Sequence, residues 1–273
     1  MHSRDDTMTL QHWVHALKKR WQPLGGTATR TPPHNPAGEA PQSTLFMRSG
    51  FSAELKSKGF KIRIARRPSV LQDALGLLNR RYRQRGYGFQ TLTMSPERMT
   101  IVAYEGQQVI GTLTVQLDHG RGLLSDECFR EQLDRFRADG AALCEFTKLA
   151  TAPQAPAPAT LASMFHVAFI FAHQVSGATH AVVEVNPRHV SFYTRVLGFA
   201  PHGTPQSNPR VKAPGVLLVA DFQHIGQQLL ARNAHGSGSG ETPPFFSHSF
   251  SNAEEKGIRN RIKTSLTRLE NEV

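Results

Sequence analysis

The stretch VEVNPRHVSFYTRVLGF, residues 183–199, joins a short apolar run to an Asn-Pro step, a helical segment with an aromatic pair and a closing Leu-Gly-Phe. Residues 181–185, AVVEV, have the length and β-branched content of a buried strand. Pro187 then suits the first position of a helix over 187–197, because its fixed φ is helical and its missing N–H is not needed there. A strand that turns directly into a helix requires a sheet with helices packed on it.

The flanking sequence extends that sheet. Residues 160–175 are apolar nearly all round, the mark of a buried helix. Before them, ALCEFTKLA (residues 142–150) alternates, placing Leu143, Glu145, Thr147 and Leu149 on one face and Cys144, Phe146, Lys148 and Ala150 on the other. Strict alternation therefore sends Glu145 and Lys148 to opposite faces unless a bulge intervenes. Residues 61–66 alternate as a strand, and Pro68 opens a helix with Val70, Leu71, Ala74, Leu75, Leu77 and Leu78 inward. Residues 100–104 and 109–117 form a hairpin about 105–107, and 126–137 are helical. Two strands, near 199–203 and 215–222, complete the order β-α-β-β-α-β-α-β-α-β-β. The fold class is α+β in three layers: a mixed, mostly antiparallel central sheet with helices on both faces. No internal repeat is visible.

The chain ends differ from this middle. Residues 1–50 include QPLGGTATRTPPHNPAGEAPQS (22–43), a composition expected to be disordered. The folded domain is expected over 51–232, a flexible linker over 233–252 around NAHGSGSGETPP, and an amphipathic helix over 253–273 carrying Ile258, Ile262, Leu266 and Leu269. That helix has three possible uses: docking on its own domain, pairing with another subunit, or peripheral contact with a membrane.

The chain has 273 residues, with 32 Lys and Arg against 21 Asp and Glu, and its net charge of +11 lies mostly in the middle rather than in a basic tail. Two cysteines, Cys128 and Cys144, sit outside any CxxC context, which excludes a disulfide framework and a zinc knuckle. His166, His173 and His180 recur every seven residues, too far apart for one metal, so no metal site is expected. No apolar export region opens the chain and no apolar run is long enough to span a bilayer, so a soluble cytoplasmic protein is expected.

With these strings in hand, 183–199 resembles the GNAT acyltransferases. Taken with CEFTKLAT (144–151) and NPRVKAPGVLLVADF (208–222), the chain is similar to the FeeM-type long-chain N-acyl amino acid synthases, a branch related to the acyl-homoserine-lactone synthases. The likeness covers about residues 61–222. It implies that Tyr193 lies beside the departing thiol, that Asn186 contacts substrate, and that the strand holding Glu145 borders the catalytic cleft. Amide formation needs the acceptor amine deprotonated, which makes Glu145 the candidate base. The lactone synthases have Glu-x-x-Arg there, whereas this chain has Glu145-Phe-Thr-Lys148, so Lys148 is a candidate substrate contact rather than a bidentate fork. His189, at the opening of the helix, is a further catalytic candidate. Arg210 and Lys212 are candidates for binding an acceptor carboxylate.

GNAT enzymes that use CoA cradle its pyrophosphate with backbone N–H groups of a Gly-rich turn. The matching turn here, TAPQAPAPAT (151–160), has no glycine and three prolines, which disfavours CoA. The donor expected is acyl-phosphopantetheine on acyl carrier protein, an acidic partner, docked by Arg66, Arg67, Arg80, Arg81 and Arg83. No cofactor is expected to be bound permanently. The reaction expected is transfer of a long-chain fatty acyl group from acyl carrier protein to an amino acid or similar small amine. An acyl-homoserine-lactone-like synthase is the enzyme alternative. A non-catalytic module using its basic face on nucleic acid or anionic membrane is the other, with nucleic acid the weaker partner.

Overall fold

The computed structural model describes residues 52–55, 59–120, 122–155, 157–235 and 248–270. The extension expected over 1–50 and much of the linker expected over 233–252 lie outside them.

Among the described residues eight strands form one sheet: β1 (Ser52–Leu55), β2 (Phe60–Ile64), β3 (Arg98–Glu105), β4 (Gln108–Leu117), β5 (Leu143–Thr151), β6 (His180–Val185), β7 (Ala200–Asn208) and β8 (Ala213–Asp221), in the spatial order β1-β2-β3-β4-β5-β6-β8-β7. Every neighbouring pair is antiparallel except β5 and β6. The helices are α1 (Pro68–Arg83), α2 (Asp126–Ala138), α3 (Ala157–Phe169), α4 (Val190–Leu197), α5 (Phe222–His235) and α6 (Asn252–Glu270). A π-helical stretch, Ile170–Val175, continues α3, and a 3-10 turn, Pro187–His189, leads into α4. From β2 to β8 this is the expected order; β1, α5 and the π-helical end of α3 are additions.

Strand parity assigns the helices to faces. Leu143, Val182, Leu217 and Val219 point to one side and pack with Phe129 and Leu133 of α2. Tyr104 joins that face through a 2.9 Å hydrogen bond from its hydroxyl to Asp73 of α1. On the opposite side Phe146 meets Phe165 of α3 at 5.9 Å between ring centroids and Phe222 of α5 at 6.2 Å, and Phe165 meets Tyr193 of α4 at 6.3 Å. Gly111 of β4 faces α3 so closely that a Cβ there would lie 2.7 Å from the Met164 sulfur. The sheet is thus sandwiched, α1 and α2 against α3, α4 and α5.

The C-terminal segment docks on its own domain. Ile258 and Ile262 of α6 are buried together with Phe250, each aliphatic side chain contributing about 1.5–3 kcal/mol. Glu255 accepts from His166 of α3 (2.9 Å) and from Gln174 (2.6 Å), and the Phe250 N–H donates to His166 Nδ1 (3.0 Å). One expectation is corrected here. Ser249 and Phe250 fell within the expected linker but are buried, because Phe250 seats against the His166 ring. Ile258 and Ile262 face this core, so of the three uses open to this helix the structure shows docking on its own domain. Among the described residues no helix is long and apolar enough to cross a membrane.

Candidate functional site

The central feature is a split in the sheet. β5 and β6 pair only through Leu143↔His180, Cys144↔Ala181 and Glu145↔Val182, after which β5 runs on to Thr151 and β6 to Val185 without meeting. β5 is also bulged. Against β4 it pairs Thr147↔Thr114 and then Ala150↔Thr112, so one extra residue is accommodated around Lys148, which sits at φ 54°. A left-handed backbone costs a lysine about 1 kcal/mol or more, so tertiary structure holds it there. The bulge removes the alternation that would separate Glu145 from Lys148: the ammonium of Lys148 feels the Glu145 charge and donates to the Thr91 carbonyl.

Glu145 is 1% exposed. Its carboxylate accepts the N–H of Leu124 (2.6 Å), the N–H of Ser125 (3.2 Å) and the Ser125 hydroxyl. Burial pushes its pKa up to about 7 against the opposing pull of these donors and of Arg210. It is therefore a carboxyl poised to exchange a proton near neutrality, and also the anchor of the segment that opens α2. Acceptor access to it requires that Leu124 and Ser125 move aside.

Arg210 lies on the same side but is already engaged. It donates to Glu184 Oε2 (2.5 Å), to the Leu124 carbonyl (2.7 Å) and to Glu127. Asn208 also holds Glu184, at 2.6 Å. One guanidinium thus serves two carboxylates, so Arg210 is not offered to an acceptor carboxylate as expected. Lys212 is exposed, at φ 49° in the β7–β8 turn.

Tyr193 stands on the other side of the split. Its ring is caged edge-on by Phe165, Phe192 and Phe199. Burial and the neighbouring Tyr82 phenol push its pKa well up, so the hydroxyl stays protonated and can donate. Tyr82, near the end of α1, thus meets α4 where no strand separates them. Close by, Arg188 donates to the Tyr87 hydroxyl (3.1 Å) and to His189 Nε2 (3.2 Å). Burial and the charges of Arg188 and Arg85 lower the His189 pKa to about 4, which makes it a neutral imidazole and a weak base. Asn186 caps the 3-10 turn, its side chain accepting the Arg188 N–H at 3.2 Å, so its oxygen has a structural task.

Of the five arginines expected to dock a carrier protein, Arg67, Arg80 and Arg83 are exposed and Arg66 is partly buried. Arg81 is corrected: it is 7% exposed and donates to Gln84 at 2.7 Å, because it continues the inward stripe of Ala74, Leu77 and Leu78 at helical spacing. On the apolar side lies a small cavity of about 30 Å3, lined among others by Phe146, Phe165, Phe169, Phe199, Phe222 and Leu229. Among the described residues no cluster of His, Cys, Asp and Glu is arranged to hold a metal ion.

Sequence reasoning missed Ser125, Glu184 and Tyr82. Glu184 carried a signal, a lone charge inside the apolar run AVVEV. The others are ordinary until topology brings them to the split.

The model of the N-acyl amino acid synthase FeeM family matches residues 73–221. Among solved structures, FeeM, an N-acyl amino acid synthase from uncultured soil microbes, is 25% identical, with 63% of this chain and 96% of that chain covered and a TM-score of 0.58. The acyl-homoserine-lactone synthase LasI is 12% identical, over 60% of this chain and 92% of its own, with a TM-score of 0.43. An acetyltransferase of the GNAT family from Streptococcus pneumoniae is 13% identical, over 59% and 98%, also at 0.43. No curated protein matches the chain.

Proposed function

From the premise that this chain belongs to the FeeM family of N-acyl amino acid synthases, and is a GNAT-fold N-acyltransferase, we propose that it transfers a long-chain fatty acyl group from acyl carrier protein to the amine of an amino acid. The observation that carries this reading is the split between β5 and β6 beyond Glu145 and Val182. A thioester lying in that split has a raised-pKa carboxyl on one side and a protonated phenol on the other. The acceptor nitrogen attacks the carbonyl carbon, forming the C–N bond and an oxyanion that the unpaired backbone at the β5 bulge is suited to receive. Glu145 takes the amine proton once Leu124 and Ser125 give way; the C–S bond then breaks, Tyr193 passes its proton to the departing sulfur, and Tyr193 regains a proton from solvent as Glu145 releases its own.

The donor's chemistry has separate support. The cavity next to Phe146 is lined mainly by apolar side chains, with His166 and Ser249 also among its walls, and such a lining suits an alkyl chain. The β5–α3 connection has no glycine, and its Ala152 and Ala155 are buried, leaving little N–H surface for a pyrophosphate. Arg67, Arg80 and Arg83 present positive charge along α1, suited to an acidic carrier.

The test is to incubate the purified chain with a pool of acyl carrier protein thioesters and amino acids and to analyse the organic extract by mass spectrometry, with Glu145→Gln beside it. An N-acyl amino acid that vanishes in the variant supports the reaction and the base. An amide made equally by both keeps the reaction and removes Glu145 as base. Amide from CoA thioesters alone reverses the donor assignment. No amide from either donor overturns the reading.

A further inference from the structure

Resting on the reaction just proposed, we propose that Arg98 and Lys148 are the receptor for the acceptor's carboxylate, the role the sequence suggested for Arg210. The first ground is charge. Arg210 already has Glu184 and Glu127 hydrogen-bonded to it, so a further carboxylate there meets repulsion. Arg98 and Lys148 are in the opposite condition. Arg98 donates to Gln116 Oε1 (2.7 Å) and to the Thr93 hydroxyl, and Lys148 to the Thr91 carbonyl, all neutral acceptors. Among the described residues neither forms an ion pair.

The second ground is position. Arg98 pairs with Gln116, and Gln116 with Glu145, so the three side chains form one row across β3, β4 and β5 on one face. Lys148 reaches the same region only through the bulge, and the two cations grip residues two apart, Thr91 and Thr93. They are close enough for Arg98 to lower the Lys148 pKa, an unfavourable like-charge approach that an anion would relieve.

The third ground is donor count. A guanidinium has five N–H donors and an ammonium three, and the contacts above use two and one, so both retain hydrogens for a carboxylate. In an α-amino acid one carbon separates the carboxylate from the amine. A carboxylate held by Lys148 and Arg98 therefore keeps the amine within one carbon of it, in the region that Lys148 shares with Glu145.

The experiment compares two pairs of acceptors, L-phenylalanine with 2-phenylethylamine and L-leucine with 3-methylbutylamine, for the full-length chain and for Arg98→Gln, Lys148→Gln and Arg210→Lys. The wild type is expected to favour the amino acids in kcat/KM by about 100-fold, each good charge-assisted contact being worth about tenfold. Arg98→Gln and Lys148→Gln should each raise KM for the amino acid about 10-fold or more, and Arg98→Gln should leave kcat within about threefold and both constants for the amines unmoved. Arg210→Lys should keep the preference. Equal use of amino acid and amine by the wild type, or a parallel loss for both in Arg98→Gln, as anchoring of residues 91–93 would give, overturns the receptor while leaving N-acylation standing. If no thioester is turned over, the reaction fails, and the receptor is read separately by titration calorimetry of L-phenylalanine. Binding weakened about 10-fold in Arg98→Gln supports it, and equal or absent binding overturns it.

Discussion

Replacing Glu145 by glutamine should change how the stability of the protein depends on pH. The carboxyl moves from an ordinary value of 4.5 to about 7 on folding, because it is 1% exposed. Below 4.5 it is protonated in both states and costs nothing. As pH rises towards 7 the unfolded chain releases the proton while the folded chain keeps it, so stability is lost across that window. At 1.36 kcal/mol per unit the full loss is about 3.4 kcal/mol, of which about 2.5 kcal/mol falls between pH 5 and pH 8. Glutamine does not titrate, and its NH2 group would confront the N–H groups of Leu124 and Ser125, a roughly constant cost of about 1–3 kcal/mol. Urea unfolding followed by far-UV circular dichroism at pH 5, 6, 7 and 8 measures both proteins. The wild type should be the more stable at pH 5, and the difference should move by about 2.5 kcal/mol in favour of the variant by pH 8, enough to reverse it. A difference that stays constant within about 0.5 kcal/mol would mean that Glu145 titrates as an ordinary carboxyl, and the poised-base argument would fail with it.

Tyr193→Phe keeps the caged ring and removes only the hydroxyl, so thiol release from an acyl donor should slow by about 100-fold while the melting temperature hardly moves. Ile262→Ala empties a fully buried position between α6 and the domain and should cost about 2–5 kcal/mol in urea unfolding; a loss under about 0.5 kcal/mol would show that α6 does not dock. Arg210→Met leaves the Glu184 side chain, 5% exposed, with Asn208 and the Cys128 thiol as its remaining partners, and should destabilise by about 3 kcal/mol in urea unfolding at pH 8; a loss under about 0.5 kcal/mol would show that the ion pair is not needed. Gly215→Ala would put a Cβ 2.3 Å from Glu184 Oε1, displacing that carboxylate at a cost of about 1–3 kcal/mol in the same assay.

The elements themselves were legible because their signals are local. Pro68 opening α1, the alternation of β5, the all-round apolarity of α3 and the Asn-Pro step before α4 each report a backbone preference within a few residues. The helical stripe of α1 also held the information that Arg81 turns inward, since it follows Leu77 and Leu78 by one turn; counting it with the exposed arginines overlooked that spacing. The α6 segment was read as amphipathic, but an apolar face is compatible with several partners. Only the seat offered by His166 and Phe250 decided for the domain.

The site divides in the same way. Residue types alone singled out Glu145, Lys148 and Tyr193, and chain order alone placed them on a strand and a helix that flank the centre of a mixed sheet. What the sequence could not determine was which charges cancel. Arg210 and Lys148 look alike as free cations, yet Glu184 and Glu127 come from β6 and α2 to neutralise one, while the other, lifted by a one-residue bulge, meets only neutral oxygens. Pairing of this kind depends on distances between residues far apart in the chain, and a register shift of one residue reverses it. The sequence therefore determined the elements and the inventory of reactive groups; the tertiary structure decided where the sheet splits, which carboxyl is buried enough to hold its proton, and which cations are left to meet a substrate.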